Sequence, residues 1–154
     1  VSLFCSGCRV HCKGCFNPES WNFCAGKPFT EETLETILKA LDEPFVRGLS
    51  LLGGDPLEPE NEPEILKIVE AVREKFGDTK DVWMWTGRVY GKVKDSPLVN
   101  AVDVLIDGPF VQKLLTKEKN AWCGSTNQRI IPISPAARST MPSQLEAHEE
   151  HAAN

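Results

Sequence analysis

Four of the six cysteines fall between Cys5 and Phe16, in the run CSGCRVHCKGCF, and three of them, Cys8, Cys12 and Cys15, are spaced C-x3-C-x2-C. Thiolates are soft ligands suited to zinc, copper(I) or iron-sulfur clusters, and three in a short loop can wrap one metal centre. Three ligands leave a four-iron cluster with one iron uncommitted, and an open coordination position separates a site that does chemistry from one that only braces a fold. The spacing points to a catalytic cluster, with three other readings beside it. Cys5-x2-Cys8 and Cys12-x2-Cys15 form a pair of knuckles of the kind that hold structural zinc, although only three residues part them, where zinc ribbons place about 15 to 20. A bacterial ferredoxin run would be C-x2-C-x2-C-x3-C, with its gaps in another order. Disulfides are the third reading; without a secretory leader, clustered cysteines more often bind metal.

The remaining sequence reads as elements able to position that loop. Residues 1–4 (VSLF) look like the end of a buried strand that feeds it, and because the chain opens at Val1 rather than Met, further upstream sequence is expected. Asn17, Pro18, Asn22, Gly26 and Pro28 mark irregular backbone, with Trp21 and Phe23 available to cover a cluster and Cys24 read as a small buried hydrophobe rather than a fourth ligand. Thr30, Glu31 and Glu32 signal a helix start, and Leu34, Ile37, Leu38 and Leu41 give one apolar face up to Pro44. Strands are expected at residues 49–52, 81–85, 102–106 and 130–131, a helix from about Pro63 to Gly77 and a helical turn over 96–100. Strands alternating with helices imply an α/β fold with a parallel sheet, either open or part of a barrel. From Ala136 to Asn154 the apolar pattern disappears and a disordered tail is expected, with His148 and His151 solvated.

At 154 residues the chain suits one domain, and 41% hydrophobic and 25% charged residues are ordinary globular values. A net charge of -5 argues against binding a nucleic-acid backbone, and no apolar run approaches the length of a membrane span. A cytoplasmic protein is the expectation.

In parallel α/β sheets ligands lie beyond the carboxyl ends of the strands. Those ends are the cysteine loop, Gly53-Gly54-Asp55-Pro56, Trp85-Thr86-Gly87 and Asp107-Gly108-Pro109-Phe110. Paired glycines let backbone approach a ligand, and a following carboxylate can receive an ammonium group. A glycine turn with a capping Asp would look the same.

The cysteine triplet followed by an aromatic, then GGDP after the next strand, resembles the radical S-adenosylmethionine (SAM) superfamily. The series CSGCRVHCKGCFNPESWNF, SLLGGDPLEPEN, VWMWTGR, VLIDGPFV and CGSTNQR, which spans most of residues 1–129, is similar to the activating proteins of anaerobic ribonucleoside-triphosphate reductase. The resemblance implies a partial, open radical SAM-type barrel over residues 1–135, short of one N-terminal strand, with 136–154 as the tail. It implies that Cys8, Cys12 and Cys15 hold a 4Fe-4S cluster whose fourth iron chelates SAM. Gly14, Cys15 and Phe16 would lie at the adenine side, Gly53, Gly54 and Asp55 would receive the methionine ammonium, and Thr86 would contact the ribose. Sister families commonly carry Glu where Asp55 stands. The implied partners are the large catalytic subunit of the reductase, which would receive a glycyl radical, and an external one-electron donor such as a flavodoxin. The segment from Trp122 to Arg129 is a candidate for partner contact or a capped turn before the last strand. Alternatives are activation of another glycyl-radical enzyme, a small-molecule radical SAM enzyme, or a structural zinc module.

Overall fold

The computed structural model describes residues 1–119 and 121–141. Five strands, β1 (Ser2–Cys5), β2 (Gly48–Gly53), β3 (Asp81–Trp85), β4 (Val104–Asp107) and β5 (Arg129–Pro132), form one sheet in the order β1-β2-β3-β4-β5. The first four are mutually parallel, as the alternation of strands and helices predicts, whereas β5 runs antiparallel to β4, pairing Ile131 with Leu105. No helix separates β4 from β5, only a 3-10 turn at Gln112–Leu114 and loops, so the chain reverses at that edge instead of crossing over.

Successive side chains on a strand point to opposite faces, and the sheet uses this alternation sharply. Leu49, Leu51, Val82, Met84, Leu105 and Ile131 pack with the helices α1 (Glu31–Leu41), α2 (Glu62–Phe76) and α4 (Pro97–Ala101) into the main core. The other face carries Trp83, Trp85, Val104, Ile106 and Ile130, against which Ala137, Met141 and Cys123 pack, with the Trp122 ring 5.3 Å from that of Trp83. The longer helices therefore back one face, and the second is left to loops and the short helix at Pro135–Thr140.

Local chemistry sets the helix ends. Thr30 Oγ1 accepts from the Thr33 amide while the Thr33 hydroxyl accepts from the Thr30 amide, a reciprocal cap for the orphan N–H groups of α1. Gly77 closes α2 at φ 57°, the left-handed conformation that glycine adopts without penalty. Asn61 precedes α2, but its side chain is turned away from the helix: Nδ2 donates to the carbonyls of Ser6 and Asp55, which pins α2 to the cysteine loop.

Two short helices differ from expectation. α3 (Tyr90–Val93) follows β3 without an apolar period long enough to announce it. α5 (Pro135–Thr140) occupies the start of the stretch expected to be a disordered tail; Ser134 caps it through the Ala137 amide and Ala137 is buried, which corrects that expectation for residues 136–141. The rest of that stretch, with His148 and His151, lies outside the described residues. Among the described residues no helix is long and apolar enough to cross a membrane.

Candidate iron-sulfur and SAM site

β1 delivers the chain directly into the cysteine loop, and the loop is held from both sides. Gly7 and Cys8 amides donate to the carbonyls of Ser20 and Trp21, in the 3-10 turn Pro18–Trp21. On the other flank the end of β2 extends the ladder, Gly54 N–H to Cys5 O and Asp55 N–H to Gly7 O, both at 2.8 Å. The two glycines are required by this apposition: a Cβ on Gly53 would stand 2.2 Å from Cys5 O, and one on Gly54 would stand 2.3 Å from Gly7 O. Their bare backbone brings GGDP against the cysteine loop before any ligand is considered.

The thiols of Cys8, Cys12 and Cys15 are all free, and the three residues line one cleft of about 520 Å³, together with Phe16, Trp21, Gly53, Gly54, Thr86 and Gly87. That volume falls within the roughly 300–1,000 Å³ of small-ligand sites. Trp85, Trp122 and a fourth thiol, Cys123, complete the far wall. His11 turns the loop between Cys8 and Cys12 with φ 51°, unusual for a residue with a side chain, and its ring stacks on Trp21 at 4.4 Å. Burial pushes the Cys8 thiol up from its ordinary value, opposed by the Val10 and His11 amides, which favour the thiolate that metal binding requires. Cys5 faces away: its thiol donates to Leu52 O, and burial, then the Asp55 charge, push it up to about 12.

Among the described residues no three His, Cys, Asp or Glu side chains converge as they would on a single metal ion. A four-iron cube does not ask for convergence, because each thiolate takes a different iron at a different corner. Three free thiols around a space large enough for more than one atom fit a cluster of that kind.

The sequence-derived SAM residues divide. Phe16, Cys15, Gly53 and Gly54 are on the cleft wall, and Phe16 is largely exposed. Gly14 is not; at φ 79° it packs against the Gln112 side chain. Asp55, expected at the methionine ammonium, does not line the cleft. It is fully buried behind the wall, where its carboxylate accepts from the Leu57 amide (2.9 Å), the Thr86 hydroxyl (2.9 and 3.0 Å) and the Gly87 amide (3.0 Å). Burial raises its pKa, and these hydrogen bonds oppose the rise. The Thr86 hydroxyl is thereby committed to Asp55, away from a ribose. Phe23 does not reach the cleft; it fills the space beside Gly7 and lies under the Arg9 guanidinium. Cys24 is exposed rather than buried and lies off the cleft wall.

Sequence reasoning passed over Arg9, Glu58 and Arg88. Glu58, fully buried, accepts from the Arg9 amide (2.8 Å) and Arg9 Nη1 (2.6 Å) and forms an ion pair with Arg88 Nη2 (2.9 Å). Arg88 Nε is buried 3.9 Å from Asp55 Oδ2 with no hydrogen-bond partner among the described residues. Arg9 also pairs with Glu60 at the exposed rim and holds that carboxyl down to about 2. The acids of LEPE beside a single Arg within the cysteine run were the available signal.

A family model described as a 4Fe-4S single cluster domain matches residues 1–131. The chain is 41% identical over 130 residues to the anaerobic ribonucleoside-triphosphate reductase-activating protein of Enterobacteria phage T4, covering 84% of this chain and 81% of that protein. It belongs to that family of activating proteins. The Escherichia coli K12 member is 40% identical over 132 residues (82% of this chain, 84% of that protein), and the Pasteurella multocida member 42% over 135 residues (84% of each). No solved structure matches the chain. The family model covers the cysteine loop, all five strand starts and the cleft, so the residues that form the site lie inside the shared region.

Proposed function

We propose that this chain is a radical SAM activase: it cleaves SAM reductively and passes the radical to a glycine of anaerobic ribonucleoside-triphosphate reductase. The observation that carries the reading is the meeting of three free thiols with a Gly-Gly backbone wall in one cleft, in a chain of the activating-protein family. Cys8, Cys12 and Cys15 would hold the 4Fe-4S cluster as thiolates. A bound cluster would supply the single electron for reductive cleavage of SAM, the chemistry by which a hydrogen atom would be taken from the glycine.

The protein's own work is orientation and exclusion of water. Gly53 and Gly54, drawn against the cysteine loop, form the wall along which the methionine end would lie, and Phe16 and Trp21 offer flat apolar surface to the adenine. Asp55 acts from behind by fixing Thr86 and Gly87. The sequential strand order with the longer helices on one face supports a sheet curled as a partial, open barrel, and a protein substrate would approach the other face, which carries loops and the short α5. An external one-electron donor of the flavodoxin kind and a cytoplasmic setting belong to the same proposal.

The test is anaerobic reconstitution, followed by iron and sulfide analysis, and mixing of the reduced protein with SAM and the reductase while a glycyl radical is sought by electron paramagnetic resonance (EPR). About four irons and four sulfides per chain and a SAM-dependent radical are expected. One zinc without sulfide would overturn the reading; SAM cleavage without a radical on the reductase would redirect it to another substrate.

A further inference from the structure

We propose that Glu58 is a positioning residue that holds the cluster-bearing loop in register with the SAM wall of the cleft, through Arg9 on one side and Arg88 on the other. The inference rests on the reading that the cleft takes SAM beside a cluster.

Glu58 touches neither partner of that chemistry, since neither it nor Arg88 lines the cleft. Its Oε1 accepts from the amide of Arg9, the residue immediately after Cys8, and so fixes the direction in which the chain leaves that thiol. The same oxygen pairs at 2.9 Å with Nη2 of Arg88, which follows the Thr86-Gly87 wall, while Oε2 takes Arg9 Nη1. Two segments that depart from different strands, β1 and β3, are thus tied to a single carboxylate at the head of α2. A second tie runs parallel to it, with Asp55 accepting from Leu57, Thr86 and Gly87. A carboxylate offers two oxygens and no hydrogen of its own to the Arg9 amide and the two guanidinium groups. An amide in its place would turn an NH2 toward an arginine and leave a guanidinium without its charge partner in a buried site. Arg9 keeps an exposed alternative in Glu60; among the described residues Arg88 has Asp55, at 3.9 Å, as its other ion-pair partner. The consequence of losing Glu58 therefore falls on the relative placement of the two walls more than on the presence of the cysteines.

Glu58→Gln, Arg88→Gln and, as the rim control, Glu60→Gln are reconstituted anaerobically; iron content, SAM dissociation constant and the EPR spectrum of the reduced cluster with and without SAM are measured. Arg88→Gln is expected to load iron as wild type does, to bind SAM about tenfold more weakly and to lose part of the SAM-induced spectral change. Glu58→Gln should show the same defect, the double variant should be no worse than Glu58→Gln alone, and Glu60→Gln should match wild type. If Glu58→Gln loads no iron, Arg88→Gln decides by its SAM affinity. SAM binding and spectra equal to wild type in Arg88→Gln would overturn the proposal, even where melting temperature has fallen. A wild-type protein that loads its cluster but ignores SAM would overturn both this proposal and the reading beneath it.

Discussion

Replacing Gly54 by Ala tests the apposition of GGDP with the cysteine loop. The new methyl would lie 2.3 Å from Gly7 O, 2.7 Å from Gly7 C and 2.9 Å from Gly7 N, all backbone atoms that cannot rotate aside. Relief requires the strand end and the loop to part by about 1 Å, and overpacking of this kind costs roughly 1–3 kcal/mol. Parting also weakens the bonds from Gly54 N–H to Cys5 O and from Asp55 N–H to Gly7 O, worth about 1 kcal/mol each. The sum is about 3–5 kcal/mol, or a melting point on the order of 10 °C lower for a chain of this size. Gly91→Ala is the matched control: nothing lies within 4 Å of its added Cβ, and it sits in α3, so a change between zero and about 1 kcal/mol of stabilisation is expected. Both proteins are melted without metal and then reconstituted, and Gly54→Ala should also lose iron. A Gly54→Ala protein that melts within about 1 kcal/mol of wild type and loads full iron would refute the argument that this contact forms the site.

Cys12→Ala should abolish cluster assembly while exposed Cys24→Ala leaves iron content intact; equal loss in both would remove the ligand assignment. Asp107→Ala should destabilise the chain by about 3–5 kcal/mol, because buried Asp107 accepts from Arg129 Nε and Nη2 and from the Tyr90 amide; urea denaturation checks this. The Cys5 thiol has its folded pKa raised from 9.0 to about 12, so the native state holds that proton where the unfolded chain releases it. Its stabilisation is complete below the unfolded value and is lost as pH rises toward the folded one. Stability should fall from about pH 9 upward, less steeply in Cys5→Ala. At pH 8 iodoacetamide should modify Cys24 well before Cys5, read by peptide mass spectrometry, and equal rates would contradict the burial of Cys5.

Much of the site was legible because its signals are local. The C-x3-C-x2-C spacing marks the candidate ligands whatever the fold around them, and the period of Leu34, Ile37, Leu38 and Leu41 specifies a helix with one buried face. The burial of Asp55 was not legible because a carboxylate after two glycines has the same sequence whether it faces a ligand or turns inward; Thr86 and Gly87, which hold it, are contributed from the end of a strand about thirty residues later. Glu58 was missed for the same reason, since its partners Arg9 and Arg88 come from separate strands. The antiparallel β5 follows from a connection without a helix, a feature that local periodicity cannot distinguish from a loop on the way to another parallel strand.

By itself, then, the sequence determined the soft-ligand chemistry, the order of strands and helices and the points where the backbone needs glycine, because each is a property of side chains close together in the chain. The tertiary structure alone decided which strand ends meet, that Gly53 and Gly54 touch the cysteine loop, and that two buried acids stand behind the cleft instead of within it. Those outcomes depend on contacts between residues tens of positions apart, whose desolvation and hydrogen bonding are fixed only when the sheet assembles.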